Sequence, residues 1–280
     1  MNIQLAIEKG INILKNCNIQ NAQLDTEILL AKVLRSNRKD LILNNHKDLN
    51  DKKFKYFKKL IKERANRKPI AYLLNKKFFW DNEFYVNEDT LIPRPDTELV
   101  IEEVLRLSKN KKKLNILDIG VGSGCILLSI LKEKKNFNGT GIDINKKTLD
   151  ISKINAKKLN LDQRTKFYKS DVDKFTQGKY DLIVSNPPYI KSCDLKYLES
   201  DVINFEPKLA LNGGLDGLSV IRKVIKKSSE LIKINGKLIL EIGFDQKNKV
   251  IKLLKEKGFY INSTLKDLAN NDRCIVSTKI

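Results

Sequence analysis

The sequence has few of the residues that most often carry metal or nucleophilic chemistry. It contains one histidine, His46, and four cysteines that are scattered along the chain without a C-x-x-C pair. Because structural zinc sites need clustered Cys and His ligands, no metal site is expected. We interpret the cysteines as reduced thiols in a cytoplasm. They are Cys17, Cys125, Cys193 and Cys274.

Long apolar runs are also missing. The runs stay near eight residues, whereas a membrane-spanning helix needs about 20, and Glu8 interrupts the first of them. We therefore expect neither a transmembrane helix nor a signal peptide. A chain of 280 residues can hold one large domain, or one domain with a small helical partner.

Negative charge is under-represented, since the formal net charge is +20. Such an excess can mark a surface that binds nucleic acid. The chain is also rich in Lys, Asn and Ile together, which is typical of an A/T-rich genome, and the positive charge is spread with moderate enrichment towards the N-terminus. Composition therefore leaves direct nucleic-acid binding open, and a partner near the ribosome would suit a functional basic face.

The most informative segment is a polar, proline-rich one. Residues 180–184 resemble a strand, and residues 186–189 then read Asn-Pro-Pro-Tyr. Because prolines neither extend a helix nor donate to a sheet ladder, the chain must leave the sheet in a stiff direction. The segment presents one side-chain amide and several backbone carbonyls, and its prolines have no N–H group that could donate to them. We interpret it as an acceptor site for a planar NH2 group, suited to methylation of an amide or an exocyclic amine.

A glycine-rich loop lies upstream of that segment. Residues 114–119 have the length of a buried strand, and a helical pattern follows the loop, so the order is that of the first βα turn of a doubly wound nucleotide fold. Glycines let the backbone pass close to a ligand. A second strand ends at Asp143, whose carboxylate could accept both hydroxyls of a ribose. With Asp118 the loop reads D-x-G-x-G-x-G, which resembles motif I of S-adenosylmethionine-dependent methyltransferases. The three glycines are Gly120, Gly122 and Gly124.

The chain divides into three parts by its periodicity. Residues 1–75 predict short amphipathic helices, with Leu24, Ile28 and Ala31 on one buried face. Residues 76–95 predict a β-hairpin linker. From residue 96 to residue 280, helices and strands alternate and two strands close the chain, which predicts an α/β domain with a mostly parallel sheet and an antiparallel C-terminal strand.

These motifs together resemble the peptide chain release factor glutamine methyltransferases, the HemK/PrmC family, over nearly the whole length. Besides the two motifs, the resemblance rests on residues 24–31, 69–72, 90–98 and 206–218. Two departures are minor: Val121 stands where the family usually has Thr, and Asn75 where Gly is common. The resemblance implies a Rossmann-like class I methyltransferase domain at 96–280, a helical substrate-recognition domain at 1–75, and a monomer.

The resemblance also implies an activity. The substrate would be the glutamine of a Gly-Gly-Gln loop on a class-I release factor, methylated on its side-chain nitrogen. The predicted catalytic and substrate-binding residues are Asn186, Pro187, Pro188 and Tyr189. The Asn186 oxygen and the Pro187 carbonyl are candidates to accept the two N–H bonds of the substrate amide. No catalytic base is required, because the methylated amide can lose its proton to water.

For the cofactor, S-adenosylmethionine, the resemblance implies contacts at both ends. Asp143 would bind the ribose, the three glycines would line the methionine end, and Asp118 would hold the ammonium group. Asn186 is a further cofactor-binding candidate. Asp171 would meet the adenine amine, although a role as a helix N-cap competes with that reading. Two further residues are substrate-binding candidates: Arg94 could brace the linker or reach the substrate, and Glu206 could contact the active-site loop.

Two other functions remain open from the sequence. A ribosomal-protein glutamine methyltransferase is the nearer one, and the N-terminal third of the chain would distinguish it. An adenine-N6 nucleic-acid methyltransferase could use the same Asn-Pro-Pro-Tyr segment, but such enzymes flip a base and usually carry a larger recognition domain. A non-catalytic RNA-binding module would require a broken motif, and both motifs are intact.

Overall fold

The computed structural model describes all residues, Met1–Ile280, in two compact units. Unit 1 comprises Met1–Lys76 together with Glu199–Phe205, and unit 2 comprises Lys77–Leu198 and Glu206–Ile280. Unit 1 has one apolar core, and unit 2 has two. No helix anywhere in the chain combines the length and the apolar character needed to cross a membrane.

Unit 1 is helical, as predicted. Asparagine side chains cap three of its helices: Asn2, Asn37 and Asn50 accept backbone N–H bonds in the first turn of α1, α3 and α4. The short segment Glu199–Phe205 adds one further turn of helix to this unit. The helices are α1 (Ile3–Asn16), α2 (Ala22–Leu34), α3 (Arg38–Leu43), α4 (Asp51–Ala65), α5 (Ile70–Leu74) and, later in the chain, α9 (Ser200–Ile203).

The buried face of α2 differs from the predicted one. Leu24 is 39% exposed, so the stripe predicted from Leu24, Ile28 and Ala31 is wrong at its first position. The helix is rotated because two polar residues, Asp25 and Thr26, lie inside. The Thr26 hydroxyl donates to a carbonyl of its own helix, which satisfies it without a solvent contact.

An ion-pair cluster explains why Asp25 can be buried. The Arg64 guanidinium of α4 donates to Asp25 at 2.7 Å and to Asp201 at 2.6 Å. A buried carboxylate is tolerated only when it is paired and hydrogen-bonded. Arg64 therefore ties α2 and α4 to the segment Glu199–Phe205, which is remote in sequence.

Unit 2 is built on a seven-stranded sheet with the order β5-β4-β3-β6-β7-β9-β8. The first five strands in that order run parallel, and β9 pairs antiparallel with both β7 and β8. The predicted mostly parallel sheet and antiparallel closing strands are confirmed. The strands are β3 (Asn115–Ile119), β4 (Asn138–Asp143), β5 (Thr165–Lys169), β6 (Tyr180–Ser185), β7 (Ile232–Glu241), β8 (Phe259–Lys266) and β9 (Asp272–Lys279).

Helices cover both faces of this sheet, which explains why its central strands are apolar throughout. Neighbouring residues of β3 therefore lie in different apolar cores. Ile116 packs in the core formed with α6, α7 and α8, and Leu117 packs in the core formed with α10 and α11. The helices of unit 2 are α6 (Glu98–Leu107), α7 (Cys125–Glu133), α8 (Lys146–Lys158), α10 (Ser219–Leu231) and α11 (Lys247–Glu256).

The predicted hairpin forms from β1 (Lys77–Phe79) and β2 (Asn82–Phe84). Its aromatic rings are part of the core of unit 2, because Phe79 and Phe84 are buried there with their centroids 6.2 Å apart, edge to face. The Asn155 side chain then bonds both the N–H and the carbonyl of Tyr85. The hairpin is thus fixed to α8.

The departure at Asn75 has a structural explanation. Asn75 ends α5 with a φ of +56°, in the left-handed region. Glycine adopts that conformation without cost, and Asn is among the few other residues that tolerate it. The local turn is preserved despite the missing glycine.

Close packing of α1 on its neighbours yields a stability prediction. A Cβ atom added at Gly10 would lie 2.6 Å from Thr26 Cγ2 and 3.2 Å from the Phe57 ring. Gly10→Val should therefore destabilise unit 1 by about 1–3 kcal/mol, the usual cost of overpacking. Urea unfolding followed by circular dichroism measures it. Lys9→Val, on the exposed face of the same helix, is the matched control, and an equal loss in both variants would contradict the packing argument.

Candidate functional site

The predicted site residues meet at one edge of the sheet because of its register. Asp118 of β3 pairs with Gly141 of β4 and Val184 of β6, and Ser185 pairs with Leu240 of β7. All these strands are parallel, so their carboxyl ends lie side by side. The chain order reverses between β3 and β6, and this switch point is where open α/β sheets bind ligands.

The glycine loop follows β3 at this edge. Gly120, Gly122 and Gly124 have φ values of +77°, +57° and +83°, which a side chain would strain. A Cβ at Gly120 would meet no atom within 4 Å, so the backbone there borders open space. From α8, the Ser152 hydroxyl donates to the Gly122 carbonyl at 2.6 Å. The loop is thus held by Ser152 at Gly122 and borders open space at Gly120.

Asp118 lies beneath this loop with no exposed surface. Neither carboxylate oxygen has a hydrogen-bond partner of standard geometry, although buried polar groups are normally satisfied. Burial raises the pKa of Asp118 to about 7, a backbone contact with Leu127 opposes the rise, and the nearby charge of Asp143 adds to it. An orphaned buried carboxyl of this kind marks a place where a cationic or hydrogen-bonding group would be stabilised.

Asp143 stands at the end of β4, next to the loop. One of its oxygens accepts from the Gly122 N–H at 3.2 Å and the other from the Asn145 N–H at 2.9 Å. Burial raises its pKa, and these backbone bonds oppose the rise. The carboxylate is therefore held in one orientation by the backbone of the glycine loop and of the following turn.

Asp171 follows β5 and acts as a cap. Its side chain accepts from the Asp173 N–H at 3.2 Å and starts a single 3-10 turn, Val172–Lys174. Lys223 lies 3.9 Å from the same carboxylate. The capping interpretation therefore has a contact in the structure, whereas the adenine contact stays a prediction.

The Asn-Pro-Pro-Tyr segment leaves β6 at the same edge. The half-buried Asn186 side chain donates through Nδ2 to the Thr97 hydroxyl at 3.0 Å. Its Oδ1 makes no hydrogen bond within the protein. Pro187 is buried and Pro188 half-buried. The segment therefore keeps one amide oxygen free to accept.

Contacts from a distant loop hold the end of this segment. The buried Gln246 side chain donates to the carbonyls of Tyr189 and Gly217 at 3.0 and 3.1 Å. Ile190 donates to the Leu211 carbonyl and accepts from the Gly213 N–H. A Cβ at Gly217 would lie 2.5 Å from the Tyr189 carbonyl oxygen, which explains why glycine occupies that position.

A buried polar cluster lies behind the segment. Tyr189 Oη is 3.4 Å from a carboxylate oxygen of Glu241, at the end of β7, and 3.5 Å from Arg273 Nη1. Burial raises the pKa of Glu241 to about 7, opposed by hydrogen bonding from Thr97 and by the charge of Arg273. Burial likewise raises the pKa of Tyr189 to about 12. Tyr189 is therefore a neutral phenol in contact with the buried ionisable groups of Glu241 and Arg273.

Arg94 and Glu206 form an ion pair, so the structure brings these two candidates together. The same Glu206 carboxylate accepts from the Ile92 N–H at 3.0 Å, and its side chain is only 1% exposed. Glu206 therefore braces residues 92–94 from inside the protein. A direct contact of either residue with a substrate stays a prediction.

Sequence reasoning missed Thr97, Glu241, Gln246 and Arg273. One signal was available: Glu241 is a carboxylate at the end of the otherwise apolar run at residues 238–240, and buried strands rarely end so without a reason. Thr97 is separated from Asn186 by 89 positions, so no local pattern connects them.

Comparisons with known proteins agree with this architecture. The domain model described as the methyltransferase small domain matches residues 96–214, and the one described as the PrmC N-terminal domain matches residues 6–74. The solved structure of a ribosomal protein L11 methylase from Lactobacillus delbrueckii subsp. bulgaricus covers 72% of this chain and 89% of its own, with a TM-score of 0.52 and 16% identity. A methyltransferase from Pyrococcus furiosus covers 70% and 88%, with a TM-score of 0.52 and 15% identity. The fold is that of a class I methyltransferase.

Relatives of known name resemble the chain over its full length. A release factor glutamine methyltransferase from Buchnera aphidicola subsp. Acyrthosiphon pisum is 38% identical, covering 100% of this chain and 99% of its own. One from Clostridium acetobutylicum is 36% identical, with coverage of 100% and 99%. One from Caulobacter vibrioides is 33% identical, with coverage of 95% and 92%. The chain belongs to the family of release factor glutamine methyltransferases, which confirms the resemblance found in its motifs.

The buried Asp118 yields a prediction of pH dependence. Its pKa rises from 3.8 to about 7 on folding, so the native state binds this proton more tightly and stability falls as the pH rises from about 4 to about 7, with no further loss above that. Asp118→Asn should therefore be more stable than the wild type at pH 8, by up to about 4 kcal/mol, and the gap should narrow at pH 5. Urea unfolding without added ligand at both pH values measures it. The exposed Asp150→Asn is the control, and a pH-independent gap for Asp118→Asn would contradict the assignment.

Proposed function

We propose that the protein methylates the side-chain nitrogen of the glutamine in the Gly-Gly-Gln motif of class-I release factors, with S-adenosylmethionine as the methyl donor. The observation that carries the proposal is the Asn186 amide, whose Nδ2 is engaged by Thr97 while Oδ1 stays free beside the glycine loop. An acceptor-only group at that place suits a substrate that offers an NH2 group.

The residues at the sheet edge fit the cofactor. The open glycine loop would admit the methionine end, and the orphaned Asp118 carboxyl would stabilise its ammonium group through the loop or a water. Asp143, fixed by backbone N–H groups, would accept the ribose hydroxyls, and Asp171 would meet the adenine amine. When bound, S-adenosylmethionine would supply an electrophilic methyl group.

The remaining chemistry is positioning of the acceptor. An amide nitrogen is a poor nucleophile because its lone pair is delocalised into the carbonyl. The Asn186 oxygen and the Pro187 carbonyl would accept its two N–H bonds and so fix the direction of the nitrogen lone pair. Correct orientation alone can supply about 7–11 kcal/mol in favourable cases. Tyr189 would pack against the substrate amide, and the product would lose its proton to water without a catalytic base.

Two observations favour release factors over the other substrates. The relatives that bear the release factor name match across the whole chain, including unit 1. The likeness to the ribosomal protein L11 methylase shows the fold alone, at 16% identity. We assign recognition of the release factor to residues 1–75, with residues 76–95 as the linker and residues 96–280 as the catalytic domain, in a cytoplasmic monomer.

Mass mapping tests the proposal directly. The full-length protein is incubated with S-adenosylmethionine and a purified class-I release factor, and the Gly-Gly-Gln peptide is then analysed. A gain of one methyl group on the glutamine is expected, and a release factor with Ala at that position is the negative control. Methylation of ribosomal proteins or of adenine in DNA or RNA, with the release factor unchanged, would refute the assignment.

Asn186→Ala should abolish most of the turnover. The variant leaves a substrate N–H unpaired in the site, which commonly costs several kcal/mol in the transition state. We expect turnover to fall at least about a hundredfold with nearly unchanged cofactor affinity. Asn186→Gln should also fail, because one methylene moves the oxygen. Single-turnover assays at saturating release factor measure the effect.

The control for this series is Asn136→Ala. Asn136 is exposed in the turn before β4, at the opposite edge of the sheet, so its loss should leave turnover unchanged. Turnover of Asn186→Ala close to that of Asn136→Ala would remove Asn186 from the mechanism.

Asp143→Ala should weaken cofactor binding. Loss of hydrogen bonds to a charged group costs about 1.5–3 kcal/mol, and the strand end should keep its fold. Isothermal titration with S-adenosylmethionine measures the affinity, and Asp150→Ala, an exposed carboxylate of α8, is the matched control. Equal affinity in the two variants would exclude Asp143 from the site.

A further inference from the structure

The Asn186 side chain can present either of two groups to a substrate. Its terminal torsion is broad and roughly twofold, so the oxygen and the NH2 group can exchange places with little change in shape. The following inference rests on the proposed function, since only the oxygen can accept a substrate N–H. Something in the protein must therefore favour one orientation over the other.

Thr97 contacts the amide but does not by itself select an orientation. Its hydroxyl lies 3.0 Å from Asn186 Nδ2 and could either accept from the NH2 group or donate to the oxygen. Its position is fixed, because Thr97 is 2% exposed and its N–H bonds the Arg94 carbonyl at the end of a 3-10 turn. The direction of its single proton decides which orientation of Asn186 is stable.

The Glu241 carboxylate favours one direction of the Thr97 hydroxyl proton. The register of β6 with β7 pairs Ser185 with Leu240, which places Glu241 beside Asn186. The Thr97 hydroxyl is a neighbour of the Glu241 carboxylate and lowers its pKa, but it makes no hydrogen bond of standard geometry to Oε2. Glu241 Oε2 has no partner of standard geometry and is fully buried, so it has an unfilled place for a donor.

Above a pH of about 7, where Glu241 is ionised, its carboxylate can only accept. A Thr97 proton directed to Glu241 leaves the hydroxyl lone pairs to accept from Asn186 Nδ2. The amide nitrogen is then held by Thr97, and Oδ1 faces away from it. The other groups around the carboxylate are Tyr189, whose phenol is 3.4 Å from Oε1, and Arg273, which also lies near Asp96 and Asp267. Tyr189 contacts Oε1, so Oε2 is the oxygen with room for a further donor.

We infer that Thr97 and Glu241 are positioning residues that hold the Asn186 amide with its oxygen directed at the acceptor nitrogen of the substrate. Hydrogen bonds then run in one direction, from the Asn186 NH2 group to the Thr97 hydroxyl and from that hydroxyl to the Glu241 carboxylate. Neither residue touches the reacting atoms. Both act through the side chain that does.

The first test compares Thr97→Val and Thr97→Ser, after the wild type has been shown to methylate a class-I release factor. Valine keeps the shape but removes the hydroxyl, so turnover should fall by about tenfold or more while the KM for release factor and the cofactor affinity stay within about twofold. Serine should restore most of the turnover. Thr264→Val, in the edge strand β8, is the matched control and should match the wild type.

A double-mutant cycle separates positioning from a structural role. In an Asn186→Ala background no amide remains to be oriented, so Thr97→Val should cause no further loss. Glu241→Gln replaces an acceptor-only group by one that can also donate. It should lower turnover by about threefold or more, and its effect should not add to that of Thr97→Val. Additive losses throughout would mean a structural role and would overturn the inference.

The second test needs no turnover. In an NMR spectrum of 15N-labelled protein, the Asn186 NH2 signals are assigned by their loss in Asn186→Ala. Their exchange with water should be slow in the wild type and in Thr97→Ser, and faster in Thr97→Val. Unchanged exchange in Thr97→Val would overturn the inference whether or not release factor is the substrate. A wild type that leaves every release factor unmethylated would refute the proposed function instead.

Discussion

The parallel register of β4, β3, β6 and β7 is the constraint on which the site depends. Each of these strands ends at the same edge, and the residue that follows or ends it carries a different function. β3 delivers the glycine loop, β4 ends in Asp143, β6 is followed by Asn186 and β7 ends in Glu241. A shift of one residue in any pairing would turn these side chains to the other face, so the backbone hydrogen bonds of the sheet set the geometry of the chemistry.

Local patterns were sufficient for much of this architecture. The glycine loop and the Asn-Pro-Pro-Tyr segment could be predicted because turn chemistry and the lack of proline N–H groups act within a few residues. Contacts such as that of Thr97 with Asn186 or Gln246 with Tyr189 join segments 57 to 89 positions apart, and only the sheet brings them together. The prediction that Leu24 is buried was wrong for the same reason. Arg64, remote in sequence, pairs with Asp25 and so determines which face of α2 is buried.

The catalytic unit retains buried carboxyls that an optimally stable fold would avoid. Neither oxygen of Asp118 and only one oxygen of Glu241 has a hydrogen-bond partner of standard geometry. A buried acid costs free energy unless it is neutralised or bonded. Both lie at the carboxyl edge of the sheet, where the glycine loop and the Asn186 segment also lie. Stability has therefore been given up where ligands are expected to bind, which is the usual relation between function and folding energy.

The segment Glu199–Phe205 has a consequence for how the protein can be divided. Because it belongs to unit 1 while the residues on both sides belong to unit 2, the chain passes between the units three times, after residues 76, 198 and 205. Unit 1 is therefore not a separable N-terminal module. Cutting the chain after residue 76 would remove Arg64, the ion-pair partner of Asp201, and would leave residues 199–205 without the helices they pack against. The two units are interleaved along the chain, so an exchange of recognition domains between relatives would have to exchange both pieces of unit 1 together.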